Sequence, residues 1–465
     1  MAKLDSEFNT QGDLNINSTL VLAGYFLAIM FVLNVAFGNA IMNVIAFGLP
    51  VNEMMIGFFL ILLSITGHLK IPTGNATIFL YIWLALGLVF WLPFGFFEYG
   101  IIAGRDATQL LDCMVLFISY SLFSRAPSLK ITQALTLVLV LGLTLEFLDR
   151  VFLFTFTGIS VSSFVEVPLF GGTIGSSIIV VSSFWFGILM KDTIQPYIWK
   201  YLVFVSLILV LLLQNRFLYL SMIFTSLVYF YIYRPSFLNK RFLTRFFLII
   251  GLVILFESFI GSLVTSVLNL IPDSEYLMSR RLFKYGLENF SLGGILAHLA
   301  TGFGFENEIY SGAAGGVAQR LGWWYLIMVD LFSSSWNLFL GLGYGIPLTD
   351  SVNSYNPKSP AIGVIREPHN SFISVFARQG LILFGMWLAF HLFLALKSIS
   401  VLKKTFKANQ ECKLLLVCLL VSTSTYICAL VEPAFENPPI AISTYIVIGL
   451  SLAMLSRIKK TERSN

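Results

Sequence analysis

Apolar runs of about 18–25 residues recur along the whole chain, each long enough for an α-helix to cross the hydrocarbon of a bilayer. Water is absent there, so a segment in lipid must close its own backbone hydrogen bonds, and runs of this length do so as helices. An all-α polytopic membrane protein is therefore expected. Composition agrees: of 465 residues 57% are hydrophobic and 11% charged, with mean hydropathy +0.85, outside the range of soluble domains. The pattern predicts about twelve spans, at 20–47, 53–68, 77–94, 107–123, 131–149, 174–190, 198–213, 217–233, 246–270, 371–396, 411–431 and 439–456. The first is tilted or broken near Asn39, and the second is short and follows Pro50. The polar stretch Met1 to Thr19 carries no cleavable signal pattern, so the first span is expected to stay as an anchor.

Charge sets the expected sidedness. With both termini in the cytoplasm, the short loops 234–245, 397–413 and 457–463 are nearly pure cation. Of the 29 lysines and arginines, only Arg105, Arg150, Arg216, Arg280, Arg281, Lys284, Arg320, Lys358, Arg366 and Arg378 then fall on the outer side. The net charge of +5 thus follows from topology and gives no reason to expect nucleic acid. Three parts result: spans 1–9 over 1–270, a large outer loop over 271–370, and spans 10–12 over 371–465. Inside the loop, 282–305 and 317–341 are apolar enough to suggest membrane contact. Gln319, Arg320, Asp330, Ser333 and Asn337 leave the second without an unbroken run that could cross. Helices lying in the interface, with Trp323, Trp324, Tyr325 and Trp336 at headgroup depth, are the preferred picture. A re-entrant pair would satisfy the charge rule equally well. Gly341-Leu-Gly-Tyr-Gly345 reads as a flexible turn; it follows no strand and lacks Lys-Ser/Thr, so it is not a nucleotide loop. Cys113, Cys412, Cys418 and Cys428 lie in or beside apolar spans and read as small buried side chains.

Ionisable residues at membrane depth are costly and tend to be functional. In Arg366-Glu-Pro-His-Asn-Ser-Phe372 a lone histidine stands at the mouth of span 10, and imidazole can accept a proton near neutral pH. Pro368 suits the first turn of a helix whose amides would attract an anion and favour a neutral ring, while Glu367 acts against that. Arg216 lies at the outer turn before span 8, either snorkelling to headgroups or holding phosphate. Arg320 opens an Arg-Leu-Gly-Trp-Trp helix, on one face with Trp324. Arg378, two turns inside span 10, needs a neutralising partner, for which Glu257, Asp112 or Glu146 are available. His298 on a loop helix reads first as structural, and His68 and His391 lie toward cytoplasmic ends. Glu432 and Glu436, flanking Pro433 between the last two spans, read as an ordinary solvated turn.

Taken together, these residues resemble the O-antigen ligase and O-antigen polymerase family of bacterial membrane glycosyltransferases. The matching features are Gln-Asn-Arg216 opening an outer helix, Arg320-x-x-x-Trp324, Gly341-Leu-Gly-Tyr-Gly345, and His369-Asn370-Ser371-Phe372 followed by Gly380 and Gly385. They cover residues 200–395, while the first 190 residues agree in hydropathy alone. One departure is that the family's Ser/Thr-rich lead into its first arginine is Leu-Leu-Gln-Asn here. The resemblance implies a C-type glycosyltransferase-like architecture and a metal-independent, cofactor-free transfer at the outer face of the bacterial cytoplasmic membrane. The donor it implies is a glycan on polyprenyl pyrophosphate and the acceptor is a glycan hydroxyl. Membrane lipid is a further partner, and a chain-length regulator is a candidate one.

Those roles make chemical sense on these residues. A departing pyrophosphate needs fixed positive charge or a metal. No Asp-x-Asp pair stands on the outer face, whereas the guanidinium forks of Arg216 and Arg320 bind phosphate oxygens bidentately. His369 would deprotonate or orient the acceptor hydroxyl. Asn370, Tyr344, Arg366, Arg378 and His298 are supporting candidates. A repeat-unit polymerase is the preferred activity; ligation onto lipid A-core and protein O-glycosylation remain open within the same family. A secondary transporter is the reading from another class, but no twofold repeat with matching broken helices is visible.

Overall fold

The computed structural model of the chain describes residues 18–42, 45–46, 49–148, 173–213, 216–233, 313–346, 348, 368–405, 409–430 and 432–464. Among them the architecture is a helical bundle, apart from a two-residue antiparallel pairing of Ile45–Ala46 with Leu49–Pro50. Five helices are long and apolar enough to cross a membrane, which makes this a polytopic membrane protein. They are α3 (Asn75–Tyr99), α7 (Ser128–Phe147), α13 (Ser371–Thr405), α14 (Gln410–Ala429) and α15, whose apolar part is Pro438–Glu462 within Pro438–Ser464. Further helices complete the described bundle: α1 (Ser18–Met42), α2 (Val51–Ile65), α4 (Ile101–Asp106), α5 (Thr108–Asp112), α6 (Val115–Phe123), α8 (Thr173–Leu189), α9 (Pro196–Leu213) and α10 (Arg216–Tyr233). Each expected apolar segment coincides with a helix or a consecutive pair of them, except 246–270, which lies outside the described residues. From the expected outer loop the description covers α11 (Ala313–Phe332), α12 (Ser335–Leu340) and the turn after it.

Two irregular helices shape the bundle, and each has a local cause. Within α3 the turn Gly87–Trp91 widens to π geometry just before Pro93. Proline has no N–H and crowds the carbonyl four residues back, and the wider turn absorbs both defects without ending the helix. In α13 the backbone breaks at Gly380, with φ 67° and ψ −178°, so residues 371–379 form a short arm ahead of the long remainder. A side chain at that φ would be strained, and glycine is not.

The most deeply buried helices are α14 and α15. Polar side chains gather at the two ends of the bundle. At one end Arg457 pairs with Glu411 at 2.7 Å and donates to the Ala126 carbonyl, while Lys413 meets Asp192 at 3.1 Å. Arg125 caps the His68 carbonyl there, at 2.5 Å. At the opposite end lie Arg320, His369, Glu432, Glu436 and the pair Arg378–Asp106. All four cysteines are free and buried.

Candidate functional site

The site forms where the start of α13 meets the turn between α14 and α15. Asn370 is the N-cap: its Oδ1 accepts the Ile373 N–H at 3.0 Å, and its Nδ2 donates to the Leu430 carbonyl at 2.8 Å. Ser371 donates from Oγ to Glu436 Oε2 at 2.6 Å and accepts the Phe435 N–H at 3.0 Å. These bonds tie the α13 mouth to residues 430–436. The expected start of the helix at Pro368 is corrected: α13 begins at Ser371, because Asn370 supplies the capping oxygen that proline lacks. Pro368 stays outside, and its carbonyl accepts the Trp324 indole N–H at 2.7 Å.

His369, between them, has φ 51°, the one positive value at a non-glycine among the described residues. Its Nδ1 lies 3.0 Å from Glu432 Oε2, and Arg320 Nη2 lies 3.2 Å from the other oxygen of the same carboxylate. A carboxylate only accepts, so Nδ1 carries a proton, and in the neutral form of the ring the lone pair is on Nε2. Glu432 thus fixes the tautomer a general base requires and holds the guanidinium beside it. The side chains are 37% (His369), 29% (Arg320) and 16% (Glu432) exposed, so a ligand from outside can reach both cationic-type groups. Trp323 lies against the ring, with centroids 6.1 Å apart and planes 21° from parallel.

Sequence reasoning placed Arg320 at the opening of its helix, but α11 starts two turns earlier, at Ala313. The run Ala313-Ala-Gly-Gly-Val-Ala318 holds no proline, and helix propagates back through it despite the poor propensity of Gly315 and Gly316. Trp323 and Trp324, expected at headgroup depth, turn inward onto His369 and Pro368 instead; Tyr325 and Trp336 do face outward. Glu432 and Glu436 were read as solvated and are not. Glu432 bridges Arg320 and His369, and Glu436 is buried against Ser371. Burial pushes the Glu436 carboxyl above its ordinary value, against the lowering effects of the Ser371 and Ser374 hydroxyls, its own backbone and Arg378. The available signal was two acids flanking Pro433 in a turn joining spans with almost no other charge.

Below this level a second polar layer supports the first. Arg378 pairs with Asp106 at 2.9 Å and donates to the carbonyls of Gly343 and Ile346 at 3.4 and 3.2 Å. The partner is none of the three acids the sequence offered: the chain reversal between α3 and α5 brings Asp106 in, and its Oδ2 also accepts the Gly345 N–H at 3.0 Å. Leu342 and Gly343 donate their amides to the carbonyls of Ala377 and Arg378, left open by the break at Gly380. The glycine turn is therefore packed into the bundle, not a flexible turn. Tyr344 is fully buried, and its hydroxyl receives Gln379 Nε2 at 2.5 Å and Gln109 Nε2 at 3.5 Å. Burial pushes its phenol up to about 12, which keeps it neutral.

Arg216 begins α10, and the description covers its backbone but not its side chain. Ser221, just inside that helix, lies beside Cys428 near the end of α14. Tyr231 near its other end packs under the Lys403 ammonium, 3.5 Å from the ring centroid. Helix α10 hence runs antiparallel to α14 and starts at the end that carries Glu432. His298, Arg366 and Glu367 lie outside the described residues. His391, expected toward a cytoplasmic end, instead sits mid-helix and buried, with Nδ1 2.8 Å from the Tyr426 hydroxyl and its ring 5.4 Å from that of Phe435 in the turn carrying Glu432 and Glu436. Among the described residues no three His, Cys, Asp or Glu side chains come together as metal ligands would. No protein-family model matches the chain, and no curated protein matches it.

Proposed function

We propose that this protein transfers a glycan from a polyprenyl-pyrophosphate carrier to a hydroxyl of an acceptor glycan, at the outer face of a bacterial cytoplasmic membrane, as a metal-independent repeat-unit polymerase. The observation that carries the reading is the convergence of His369 and Arg320 on the single carboxylate of Glu432. Glycan transfer from a pyrophosphate needs a base for the incoming hydroxyl and fixed charge for the departing phosphates. His369 Nε2 accepts the hydroxyl proton as the new bond from oxygen to the anomeric carbon forms. The anomeric carbon–oxygen bond to pyrophosphate breaks on the opposite face, and the electron pair leaves with the phosphate. Arg320, joined by Arg216 from the same end of the bundle, takes up that charge with bidentate hydrogen bonds. Glu432 keeps Nδ1 protonated throughout, so the ring presents Nε2 to the acceptor. The order Gln-Asn-Arg216, Arg320-x-x-x-Trp324 and His369-Asn370-Ser371-Phe372 supports the same reading through its resemblance to O-antigen polymerases and ligases. The basic loops at the other end support the cytoplasmic placement of that end.

The test is reconstitution. Purified protein in detergent is incubated with a polyprenyl-pyrophosphate-linked oligosaccharide repeat, with and without EDTA, and lipid-linked products are separated by size. A ladder of multiples that survives EDTA and disappears in His369→Ala is expected. No elongation of any lipid-linked repeat, or undiminished elongation by His369→Ala, would overturn the proposal.

A further inference from the structure

At the end of the bundle away from Glu432, a cavity of about 420 Å³ opens between α1 and α7 and reaches the central helices α14 and α15. Its walls are apolar, among them Leu20, Phe31, Val138, Val421 and Leu450. Val21, Tyr25 and Leu137 line it as well and are exposed on the bundle's outer surface, so the cavity is open sideways, toward lipid. One ionisable side chain with a fixed charge lines it: Lys130. Lys130 is exposed and sits in the first turn of α7, a turn with no acidic residue and no side-chain cap on its N-terminal amides. Among the described residues no carboxylate pairs with Lys130. Arg125 and Lys70, near enough to feel each other's charge, stand in turns at the same end of the bundle without lining the cavity. The mouth of the apolar slot thus carries an ammonium beside helix amides that no side chain caps, at a cation-rich end of the bundle where the nearby Glu411 carboxylate is engaged by Arg457. That frame suits a phosphate.

The depth says what hangs from it. From Lys130 to Leu139 the slot follows α7 for nine residues, roughly 13 Å of helix at 1.5 Å per residue. Half of a bilayer's hydrocarbon core is about 15 Å. An acyl chain of one leaflet fills such a slot with its headgroup at Lys130, whereas a much longer polyprenyl chain would run out of room. A transmembrane helix of a second copy, about 10 Å across, is too wide for a slot bounded by two adjacent helices. We infer that the slot between α1 and α7 is a binding site for one anionic glycerophospholipid, with its phosphate at Lys130 and one acyl chain inside. The site is independent of the transfer proposed above.

The test is native mass spectrometry of the full-length protein released from nanodiscs containing equal amounts of phosphatidylglycerol and phosphatidylcholine with identical chains. One retained phosphatidylglycerol per protein is expected, favoured over phosphatidylcholine. Lys130→Gln should lower that preference about fivefold, the worth of one cation near a membrane surface. Ala134→Trp, on the slot wall at the lipid-facing surface, should abolish retention of both lipids while leaving thermal stability near that of the parent. Added inorganic phosphate should not displace the lipid, since the acyl chain holds it. Equal retention of the two lipids by the parent protein would overturn the inference, and that arm does not depend on either variant folding. So would retention of polyprenyl phosphate in place of phospholipid, or a dimer mass that accompanies the empty slot.

Discussion

Arg378 and Asp106 meet at 2.9 Å with each side chain only 3% exposed, and the glycine turn hangs on the pair. The guanidinium also holds two carbonyls of that turn, and the carboxylate holds the Gly345 N–H. A buried ion pair adds little net stability, yet losing one partner strands the other charge at a cost of about 3–5 kcal/mol. Asp106→Asn, which keeps an acceptor for Gly345, should therefore lower the detergent melting temperature sharply. Adding Arg378→Met to it should restore most of the loss. A single variant as stable as the parent would show that the guanidinium finds other compensation.

Gly341 and Gly380 bring two backbones into direct contact, and both have positive φ, 80° and 67°. A Cβ on Gly341 would run into the Arg378 carbonyl and the Gly380 amide, and a Cβ on Gly380 would meet Leu340. Alanine at either position should cost at least about 2 kcal/mol, combining left-handed strain with a clash that no flexible side chain can relieve. Gly385, in the same span, has open space for 4 Å around the point where a methyl group would stand, so Gly385→Ala should be neutral or slightly stabilising. Thermal unfolding of the three variants side by side decides the matter: equal effects at all three positions would remove the backbone-contact explanation.

The sequence made the helices legible because long apolar runs admit one solution in lipid, and the helix boundaries mostly follow them. It also put His369 and Arg320 at the same end, since charge asymmetry fixes which loop lies where. What it hid was partnership. Glu432 is separated from His369 by the whole of α13 and α14, and nothing in Glu432-Pro433 distinguishes a solvated acid from one that bridges two cationic-type groups. Asp106 was hidden for a related reason: its approach to Arg378 depends on how α3 turns into α4 and α5, which hydropathy does not encode. The tilt of Trp323 onto the imidazole likewise follows from packing and not from the aromatic pattern, which suited headgroups equally well.

Glu436 gives the site end a pH dependence of known sign. Its carboxyl is buried and its pKa lies above the ordinary 4.5, chiefly through that burial. Between that ordinary value and the raised one, the folded state binds more protons than the unfolded state, so stability falls as pH rises. The contribution is complete below 4.5 and is lost as pH passes through the raised value. Glu436→Gln stays neutral and still offers Ser371 an acceptor. Melting temperatures of parent and variant from about pH 4 to about pH 8 should therefore diverge in the variant's favour as pH rises, then run parallel. A gap that narrows with rising pH would contradict the sign.

The last prediction concerns Glu432 and the two arginines, and it separates orientation from charge. Glu432→Gln keeps an oxygen for the imidazole N–H but loses the charge that draws Arg320 to it; Glu432→Ala loses both contacts. If Glu432 acts by fixing which ring nitrogen faces the acceptor, elongation should fall modestly in Gln and by about 10²–10⁴-fold in Ala, the usual range for losing a positioned base. Arg320→Lys and Arg216→Lys conserve charge and remove the bidentate fork, so both should fail where a phosphate oxygen pair must be gripped. The measurement is initial elongation rate at several donor concentrations. Loss confined to the donor KM in the arginine variants, with kcat preserved, would mean the guanidinium groups hold the carrier in its ground state. Loss in kcat means that they act on the pyrophosphate as it departs, as a site built to receive developing charge requires.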